Sequence, residues 1–246
     1  MKTGIYPILD RDLCFRHSVE YVDILKLWQD FQIPYYQLRA KGLSENDYVD
    51  LAENLKERFP SFKILANDFL VSSLDRNDIF SGVHLGQEDL LLLSSGQIKM
   101  LADRCRDGTF IAGISTHNEI QVKKALSHLQ DPAGDSEDKE RICWSYIALG
   151  PVFKTSSKPG GKDPVISQKD RENIFHKIKS FSVLENKNDL PEIVLIGGLT
   201  AGSFQKLVYG NFKKDYGFFP VPSVIASAMD RESLVSWKSV LESYIA

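Results

Sequence analysis

Short runs of apolar and aromatic residues recur along the chain, and a stretch with helical spacing follows each of them. The runs are continuous and do not alternate with polar residues, which is typical of parallel strands buried on both faces. The pattern predicts eight strands, at Ile5–Leu9, Tyr35–Arg39, Lys63–Ala66, Gly82–Leu85, Phe110–Ile114, Ser145–Leu149, Ile193–Ile196 and Phe219–Ile225.

The stretches between these runs predict amphipathic helices. From Ser18 to Phe31, apolar residues return at the three- and four-residue spacing of one helix face. The stretch Ser44–Phe59 has the same spacing, and Ser44 is a favourable N-cap with Asp47 three residues later. The apolar face of this second helix is formed by Leu51, Leu55 and Phe59.

Strands that alternate with helices indicate right-handed βαβ units and an α/β fold. Eight such units in 246 residues give roughly 31 residues per unit, which favours one (β/α)8 barrel as a single domain over residues 1–246. A doubly wound open sheet is the alternative, because periodicity does not show whether a sheet closes. The polar stretches Asp131–Arg141 and Ser182–Leu190 are too short to link two domains, and we expect surface loops there.

Composition narrows the class of protein. With 43% hydrophobic and 26% charged residues, the chain can bury a core and is neither collagen-like nor disordered. The net charge of −3 argues against a duplex nucleic acid as partner. Cys14, Cys105 and Cys143 lack any C-x-x-C pairing, which favours reduced thiols over a disulfide framework or structural zinc. No apolar run reaches the ~20 residues of a membrane span, and an acidic residue at position 10 argues against a signal peptide, so we expect a cytoplasmic protein without a membrane partner.

Candidate chemistry concentrates just after the strands, where ligands bind in barrels and open parallel sheets alike. Arg39, Lys41 and Lys158 are cations suited to a polyphosphate. Asp68 and Asp89 follow neighbouring strands, and two carboxylates beside phosphate-binding cations indicate a hard divalent ion such as Mg²⁺. The same strand ends carry further polar groups and a glycine pair that suits a monophosphate, namely Gln37, Asn67, Ser115, Thr155, Ser157, Gly197 and Gly198.

Each of these candidate site residues and motifs also has a simpler interpretation. Single charged residues at strand ends are often surface salt bridges, and a lone Gly-Gly pair is often a turn. His84 and His117 have no neighbours at zinc-ligand spacing, so we expect them to pack or donate hydrogen bonds. The interpretation as a Mg²⁺–diphosphate site rests on the coincidence of six successive strand ends that each carry a suitable group.

An ordered series of motifs resembles the thiamine-phosphate synthase family. The series runs Gln-Leu-Arg-x-Lys, Asn-Asp, Gly-Val-His-Leu-Gly-Gln-Glu-Asp, Gly-x-Ser-x-His, Gly-Pro-Val-Phe-x-Thr-x-Ser-Lys-Pro-Gly and Ile-Gly-Gly, from strand one to strand seven. The resemblance implies a TIM barrel that uses Mg²⁺ to join a hydroxymethylpyrimidine diphosphate to a thiazole phosphate. The products would be thiamine phosphate and pyrophosphate, formed by departure of pyrophosphate and capture of the methylene cation by the thiazole nitrogen.

The resemblance also implies roles for matching residues. Asp68 and Asp89 would hold Mg²⁺, and Gln37 would contact the pyrimidine. The diphosphate and its leaving charge would be bound by Arg39, Lys41, Asn67, Lys158 and Ser115, of which all but Asn67 are expected to be catalytic. The thiazole phosphate would be bound by Thr155 and Ser157, together with backbone amides near Gly197, Gly198 and Ser227.

The last strand departs from the family, which usually has Gly-Ala-Asp-Gly-Val before it. Pro220 and Pro222 cannot donate ladder hydrogen bonds, so we expect strand eight to be irregular or to start late. Two alternatives to a synthase stay open on sequence alone: a thiazole tautomerase on the same barrel, and a non-catalytic barrel that binds thiamine intermediates. The pattern also leaves open a homo-oligomer, and a lid at the glycine-rich loop Lys154–Asp163.

Overall fold

The strands close into a barrel. The computed structural model describes residues 4–106, 108–127, 142–155, 164–184, 190–209, 212–225 and 228–245. Within these residues, eight parallel strands follow one another in chain order, and the first pairs with the last through Tyr6↔Ser223 and Pro7↔Val224. This pairing confirms the (β/α)8 barrel and rules out the open sheet.

The strands lie where the apolar runs predict them, with ends that shift by up to two residues. Strand β2 has the predicted bounds, whereas β3 and β5 extend further at their carboxyl ends and so carry Asn67 and Thr116 into the barrel wall. The observed bounds are β1 Tyr6–Asp10, β2 Tyr35–Arg39, β3 Lys63–Asn67, β4 Phe80–Leu85, β5 Ile111–Thr116, β6 Tyr146–Leu149, β7 Glu192–Leu195 and β8 Val221–Val224.

Helices surround the barrel and connect successive strands. In the described part of the chain they are α1 Arg11–His17, α2 Tyr21–Asp30, α3 Glu45–Arg58, α4 Leu70–Asp75, α5 Gln87–Leu92, α6 Ser95–Arg106, α7 Glu119–Leu126, α8 Gln168–Leu184, α9 Ala201–Val208, α10 Phe212–Tyr216 and α11 Arg231–Ile245. None of the helices in these ranges is long and apolar enough to cross a membrane.

The first connection differs from the prediction of one helix from Ser18 to Phe31. Helix α1 starts directly after β1, because the Asp10 carboxylate accepts a hydrogen bond from Leu13 N at 2.9 Å and caps the helix. Ser18 ends α1 with a left-handed backbone, φ 52°, and α2 begins only at Tyr21. The predicted helix face is present in α2, where Leu25 and Trp28 are buried.

The second helix agrees closely with the prediction. Ser44 is the N-cap of α3, and its hydroxyl accepts from Asp47 N at 3.2 Å. The Asp47 carboxylate accepts from that same hydroxyl at 2.6 Å. On the apolar face, Leu55 and Phe59 are buried and Leu51 is half-buried.

Strand β8 is short and starts at Val221, two residues after the predicted start. The late start was expected, since Pro220 and Pro222 offer no amide hydrogen to a neighbouring strand. The strand pairs with β7 through Val194↔Val221 and Leu195↔Pro222.

The core has two parts. The larger part fills the space between the strands and the helices, with Trp28, Tyr48, Phe204 and Trp237 among its fully buried side chains. The smaller part fills the inside of the barrel, and its buried members are Tyr6, Ile8, Tyr35, Leu65, Tyr146, Ala148, Val194 and Val221. The barrel is therefore packed below its rim, and a ligand has room only above this layer.

Three predicted segments lie wholly or partly outside the described ranges. Of the loop Lys154–Asp163, where a lid was left open, residues 156–163 are outside them. The polar stretch Asp131–Arg141 falls in the gap between residues 127 and 142. In the stretch Ser182–Leu190, α8 continues to Leu184, so this segment begins as helix and not as a loop.

Candidate functional site

A cleft of about 790 Å³ opens at the carboxyl ends of the strands. This volume lies within the range of roughly 300–1,000 Å³ that is usual for small-molecule sites. Nine of the residues expected at the site line the cleft: Gln37, Arg39, Lys41, Asn67, Asp68, Asp89, Ser115, Thr155 and Gly197. Gly198 is next to the cleft but does not line it, and Ser157, Lys158 and Ser227 fall outside the described residues.

Arg39 is held in place by a carboxylate that the sequence analysis missed. Its guanidinium forms an ion pair with Asp10, the last residue of β1, which is 2% exposed. The two residues are paired across the sheet, Asp10↔Arg39. Asp10 thus engages one edge of the planar guanidinium group, and the remaining N–H groups of Arg39 can donate hydrogen bonds to a ligand in the cleft. Its position directly after an apolar run was the signal that could have revealed it.

Asp68 and Asp89 lie close together, as two carboxylates expected to share a metal should. Asp68 follows β3 with a left-handed backbone, φ 74°. Burial raises the pKa of Asp68, the neighbouring Asp89 carboxylate raises it further, and Lys41 partly offsets both. The Lys41 Nζ to Asp68 Oδ2 distance is 3.8 Å, and the lysine side chain is more than half exposed. The cleft therefore holds carboxylate charge that its own cations only partly neutralise.

This pair fits Mg²⁺ better than a transition metal. Among the described residues no group of three or more His, Cys, Asp or Glu side chains could hold a metal ion. Mg²⁺ needs no such group, because proteins commonly bind it through one or two carboxylates while substrate phosphates and water complete its shell. Hard carboxylate oxygens are the ligands it prefers.

The N-terminus of α5 positions Asp89. Gly86 N donates to Asp89 Oδ2 at 2.8 Å, so the carboxylate also caps the helix that carries it. Gln87, at the start of the same helix, donates from Nε2 to the Ser115 carbonyl at 2.5 Å and ties α5 to the end of β5. The run from Gly86 to Asp89 thus connects the carboxylate pair to the neighbouring strand.

The floor of the cleft is polar and buried. Gln37 donates from Nε2 to Asn67 Oδ1 at 2.6 Å, and the two residues are 2% and 8% exposed. On the other side, Ser115 Oγ lies 2.8 Å from His84 Nε2. His84 therefore forms hydrogen bonds, as the sequence predicts, and its ring contributes to the wall of the cleft.

The glycine pair after β7 forms a tight turn, with φ of +100° at Gly197 and +62° at Gly198. A Cβ at Gly198 would lie 2.1 Å from the Lys154 carbonyl oxygen, and one at Gly197 would lie 2.7 Å from Pro151 Cβ. The close approach that requires glycine is thus with the loop after β6. The turn leads to α9, where Thr200 caps the helix and accepts from Ser203 N at 3.2 Å.

Other residues complete the cleft outside the set predicted to bind substrate or metal. His117 donates from Nδ1 to the Gly150 carbonyl at 2.6 Å, which joins the ends of β5 and β6. Lys154, which is exposed, adds a further cation to the lining of the cleft. The lining further includes Glu88, Thr116, Gln121, Phe153 and Val165.

Together, the barrel and its charged rim define a (β/α)8-barrel enzyme with its cleft at the carboxyl ends of the strands. The model of the thiamine monophosphate synthase family matches residues 5–213. The chain belongs to this family. The match ends before β8, the strand at which the sequence departs from the family pattern.

Individual relatives agree with this assignment. The chain is 28% identical over 213 residues to a thiamine-phosphate synthase of Leptospira biflexa, covering 83% of each chain. It is 28% identical over 202 residues to one of Proteus mirabilis, covering 81% of this chain and 73% of the relative. A solved thiamine phosphate pyrophosphorylase from Pyrococcus furiosus superposes with a TM-score of 0.63 at 17% identity, covering 98% and 96% of the two chains. At that identity the superposition supports the fold alone.

Proposed function

We propose that this cleft carries the thiamine-phosphate synthase activity of the family. The protein is a transferase that joins a hydroxymethylpyrimidine diphosphate to a thiazole phosphate and releases pyrophosphate. The observation that carries the proposal is that one cavity collects cations, a carboxylate pair and buried amides from successive strand ends. Each group suits one part of the two substrates.

The diphosphate is bound by the cationic side of the rim. Arg39, oriented by Asp10, and Lys41 contact its oxygens, and Asn67 and Ser115 bind from the floor. Lys158 is assigned to the same group by the family motif. Asp68 and Asp89 hold Mg²⁺, which supplies positive charge to the diphosphate when it is bound. The closeness of the two carboxylates, which adds to the effect of burial in raising the pKa of Asp68, supports this assignment.

The reaction requires little covalent chemistry from the side chains of the protein. The bond between the pyrimidine methylene carbon and the diphosphate oxygen breaks, and its electron pair leaves with pyrophosphate. The thiazole nitrogen then forms a new bond to that carbon with its own lone pair. Cations stabilise the charge that develops on the leaving group, and the walls orient the two substrates. No nucleophilic side chain is required.

The thiazole phosphate is assigned to the opposite side of the cleft. Thr155 and Gly197 line this side, and the family motifs add Ser157 and Gly198. Ser227, beyond these motifs, is assigned to it by the resemblance to the family. Gln37 is assigned to the pyrimidine ring, where its buried amide has a fixed orientation. Such an arrangement sets the thiazole nitrogen against the methylene carbon before the bond to pyrophosphate breaks.

A reconstituted reaction tests the proposal. The purified protein is mixed with both phosphorylated substrates and Mg²⁺, and thiamine phosphate and pyrophosphate are quantified. We expect both products in equal amounts, and none after chelation of the metal. Absence of product would overturn the proposal. In that case, isomerisation of a thiazole carboxylate phosphate would identify a tautomerase, and binding without turnover would identify a non-catalytic barrel.

We also propose a cytoplasmic location. The three cysteines are free, with Cys14 and Cys105 buried and Cys143 exposed, which suits a reducing compartment. Burial raises the pKa of Cys14 to about 12, so this thiol is unreactive at neutral pH. Fractionation of cells that produce the protein tests the location.

A further inference from the structure

A chain of hydrogen bonds crosses the inside of the barrel below the cleft. Tyr6 on β1 donates its hydroxyl to Gln37 Oε1 at 3.2 Å, and the Tyr6 and Tyr146 hydroxyl oxygens lie 2.5 Å apart. Tyr146 on β6 is 2.8 Å from His84 Nδ1, and His84 Nε2 is 2.8 Å from Ser115 Oγ. With the bond from Gln37 to Asn67, the chain links six side chains from one wall of the cleft to the other.

The interior is shaped to let this chain form. Tyr6 and Tyr146 are both 0% exposed and do not line the cleft. Gly113 lies between His84 and Tyr146 in the sheet, paired with each. A Cβ at Gly113 would lie 1.9 Å from Tyr146 Cζ, so the missing side chain is what allows the tyrosine ring to stack on the imidazole at 5.7 Å.

Between Gln37 and His84 this series of hydrogen bonds has a single direction, because each tyrosine has one hydrogen to donate. Tyr6 gives its hydrogen to Gln37, so it must accept one from Tyr146. Tyr146 has then used its own hydrogen and must accept from His84 Nδ1. Burial raises the pKa of both phenols, which keeps them protonated at neutral pH. His84 Nε2 is in turn hydrogen-bonded to Ser115 Oγ, so the orientation of each end depends on all the links between them.

We propose that Tyr6 and Tyr146 are positioning residues for the reaction, although neither reaches the substrate. They couple Ser115 on one wall of the cleft to the Gln37–Asn67 pair on the other. At this end Asn67 Oδ1 accepts from Gln37, which leaves the Asn67 Nδ2 hydrogens for a substrate acceptor. Loss of either phenol hydroxyl removes the constraint at both walls at once. This inference rests on the proposed function, because Gln37, Asn67 and Ser115 are assigned there to the pyrimidine diphosphate.

Steady-state kinetics of Tyr6→Phe and Tyr146→Phe test the inference. We expect each to lower kcat/KM for the pyrimidine diphosphate on the order of ten-fold, the effect of about one lost hydrogen bond, and to leave the KM for the thiazole phosphate unchanged. The double variant should be no worse than either single variant, because one break already interrupts the chain. A cycle that combines Tyr6→Phe with Ser115→Ala should likewise be non-additive, although these two residues do not touch.

Tyr35→Phe is the matched control. Tyr35 packs on Tyr6 in the same buried layer, with ring centroids 6.0 Å apart, but its hydroxyl donates to the Ile5 carbonyl at 2.8 Å. We expect unchanged kinetics for this variant. Equal effects of Tyr6→Phe and Tyr35→Phe, or strictly additive losses in the cycle, would overturn the inference and indicate a general packing role.

The design also separates this inference from the proposed function. If the wild-type protein makes no thiamine phosphate, the proposed function fails. Calorimetric binding of the pyrimidine diphosphate to the same variants then tests the role of the hydrogen-bond series directly. Weaker binding is expected for Tyr6→Phe and not for Tyr35→Phe. Should Tyr146→Phe not fold, as judged by circular dichroism, Tyr6→Phe and its cycle with Ser115→Ala decide the outcome.

Discussion

Replacement of Asp68 with asparagine should stabilise the metal-free protein at neutral pH. In the folded protein, burial and the Asp89 carboxylate raise the pKa of Asp68 from its ordinary 3.8 to about 6. Above that pH the folded protein must keep a charge that is disfavoured there, while the unfolded chain ionises freely. Asparagine has nearly the same shape, carries no charge and tolerates the left-handed backbone at this position.

The expected gain in stability follows from the size of the pKa shift of Asp68. An increase in the pKa of Asp68 from 3.8 to about 6 sets an upper limit of roughly 3 kcal/mol on the gain in the free energy of unfolding, at about 1.36 kcal/mol per pKa unit. The Asp68 side chain is 32% exposed, so solvent screening reduces this to about 1–2 kcal/mol. For a chain of 246 residues, that corresponds to a rise in Tm of roughly 2–8 °C.

The pH dependence of this gain in stability tests whether the charge of Asp68 is its cause. Because the pKa of Asp68 is higher in the folded state, its stabilising contribution is present below pH 4 and is lost as the pH rises through 6. The advantage of Asp68→Asn should therefore be full at pH 8, about half at pH 5 and about one fifth at pH 4. Differential scanning calorimetry with EDTA measures it, and Mg²⁺ should raise the Tm of the wild type more than that of the variant.

The control is Asp103→Asn. Asp103 is an exposed carboxylate whose pKa is lowered by Lys99 and Arg106, so its replacement should not raise the Tm. A gain for Asp68→Asn that is the same at pH 4 and pH 8 would refute the electrostatic reasoning and assign the effect to the backbone. A loss of stability at pH 8 would refute it outright.

Further changes test other parts of the site. Asp89→Ala should abolish Mg²⁺-dependent turnover while far-UV circular dichroism stays unchanged; full activity would reject the metal assignment. Mg²⁺ should bind more weakly as the pH falls from 8 to 6, because protons compete for Asp68, and titration calorimetry at each pH would detect a constant affinity if this is wrong. Gly113→Ala should lower the Tm, since its Cβ would overlap the Tyr146 ring, whereas Gly202→Ala, with open space around its Cβ, should not. Gly198→Ala should also be destabilising and should weaken binding of the thiazole phosphate in a fluorescence or calorimetric titration, because its Cβ would meet the Lys154 carbonyl at 2.1 Å.

Much of the fold was readable from local pattern. The strands were found because a parallel strand buried on both faces leaves a continuous apolar run, and β2 was predicted with its observed bounds. Errors occurred where a short element followed another without a break. Helix α1 starts directly after β1, and its seven residues carry too little periodicity to be recognised beside α2.

The sequence predicted those residues of the site that lie directly at or after the ends of strands. Arg39, Lys41, Asp68 and Asp89 were found because ligands bind at the carboxyl edge of parallel strands, and the structure places all of them around one cleft. Asp10 also follows an apolar run, but its role in orienting Arg39 is not readable from the sequence, because the two residues are 29 positions apart. The need for glycine at position 198 comes from contact with the loop after β6, which no spacing in the sequence reveals.

The sequence by itself therefore determined the order of strands and helices and the chemistry available at each strand end, because both follow from spacing along the chain. Only the tertiary structure decided that the sheet closes and which side chains meet inside it. Tyr6 and Tyr146 are separated by 140 positions yet share a hydrogen bond. The physical reason is that closure brings the inward side chains of distant strands into one narrow space, where packing and the number of available hydrogens fix their partners.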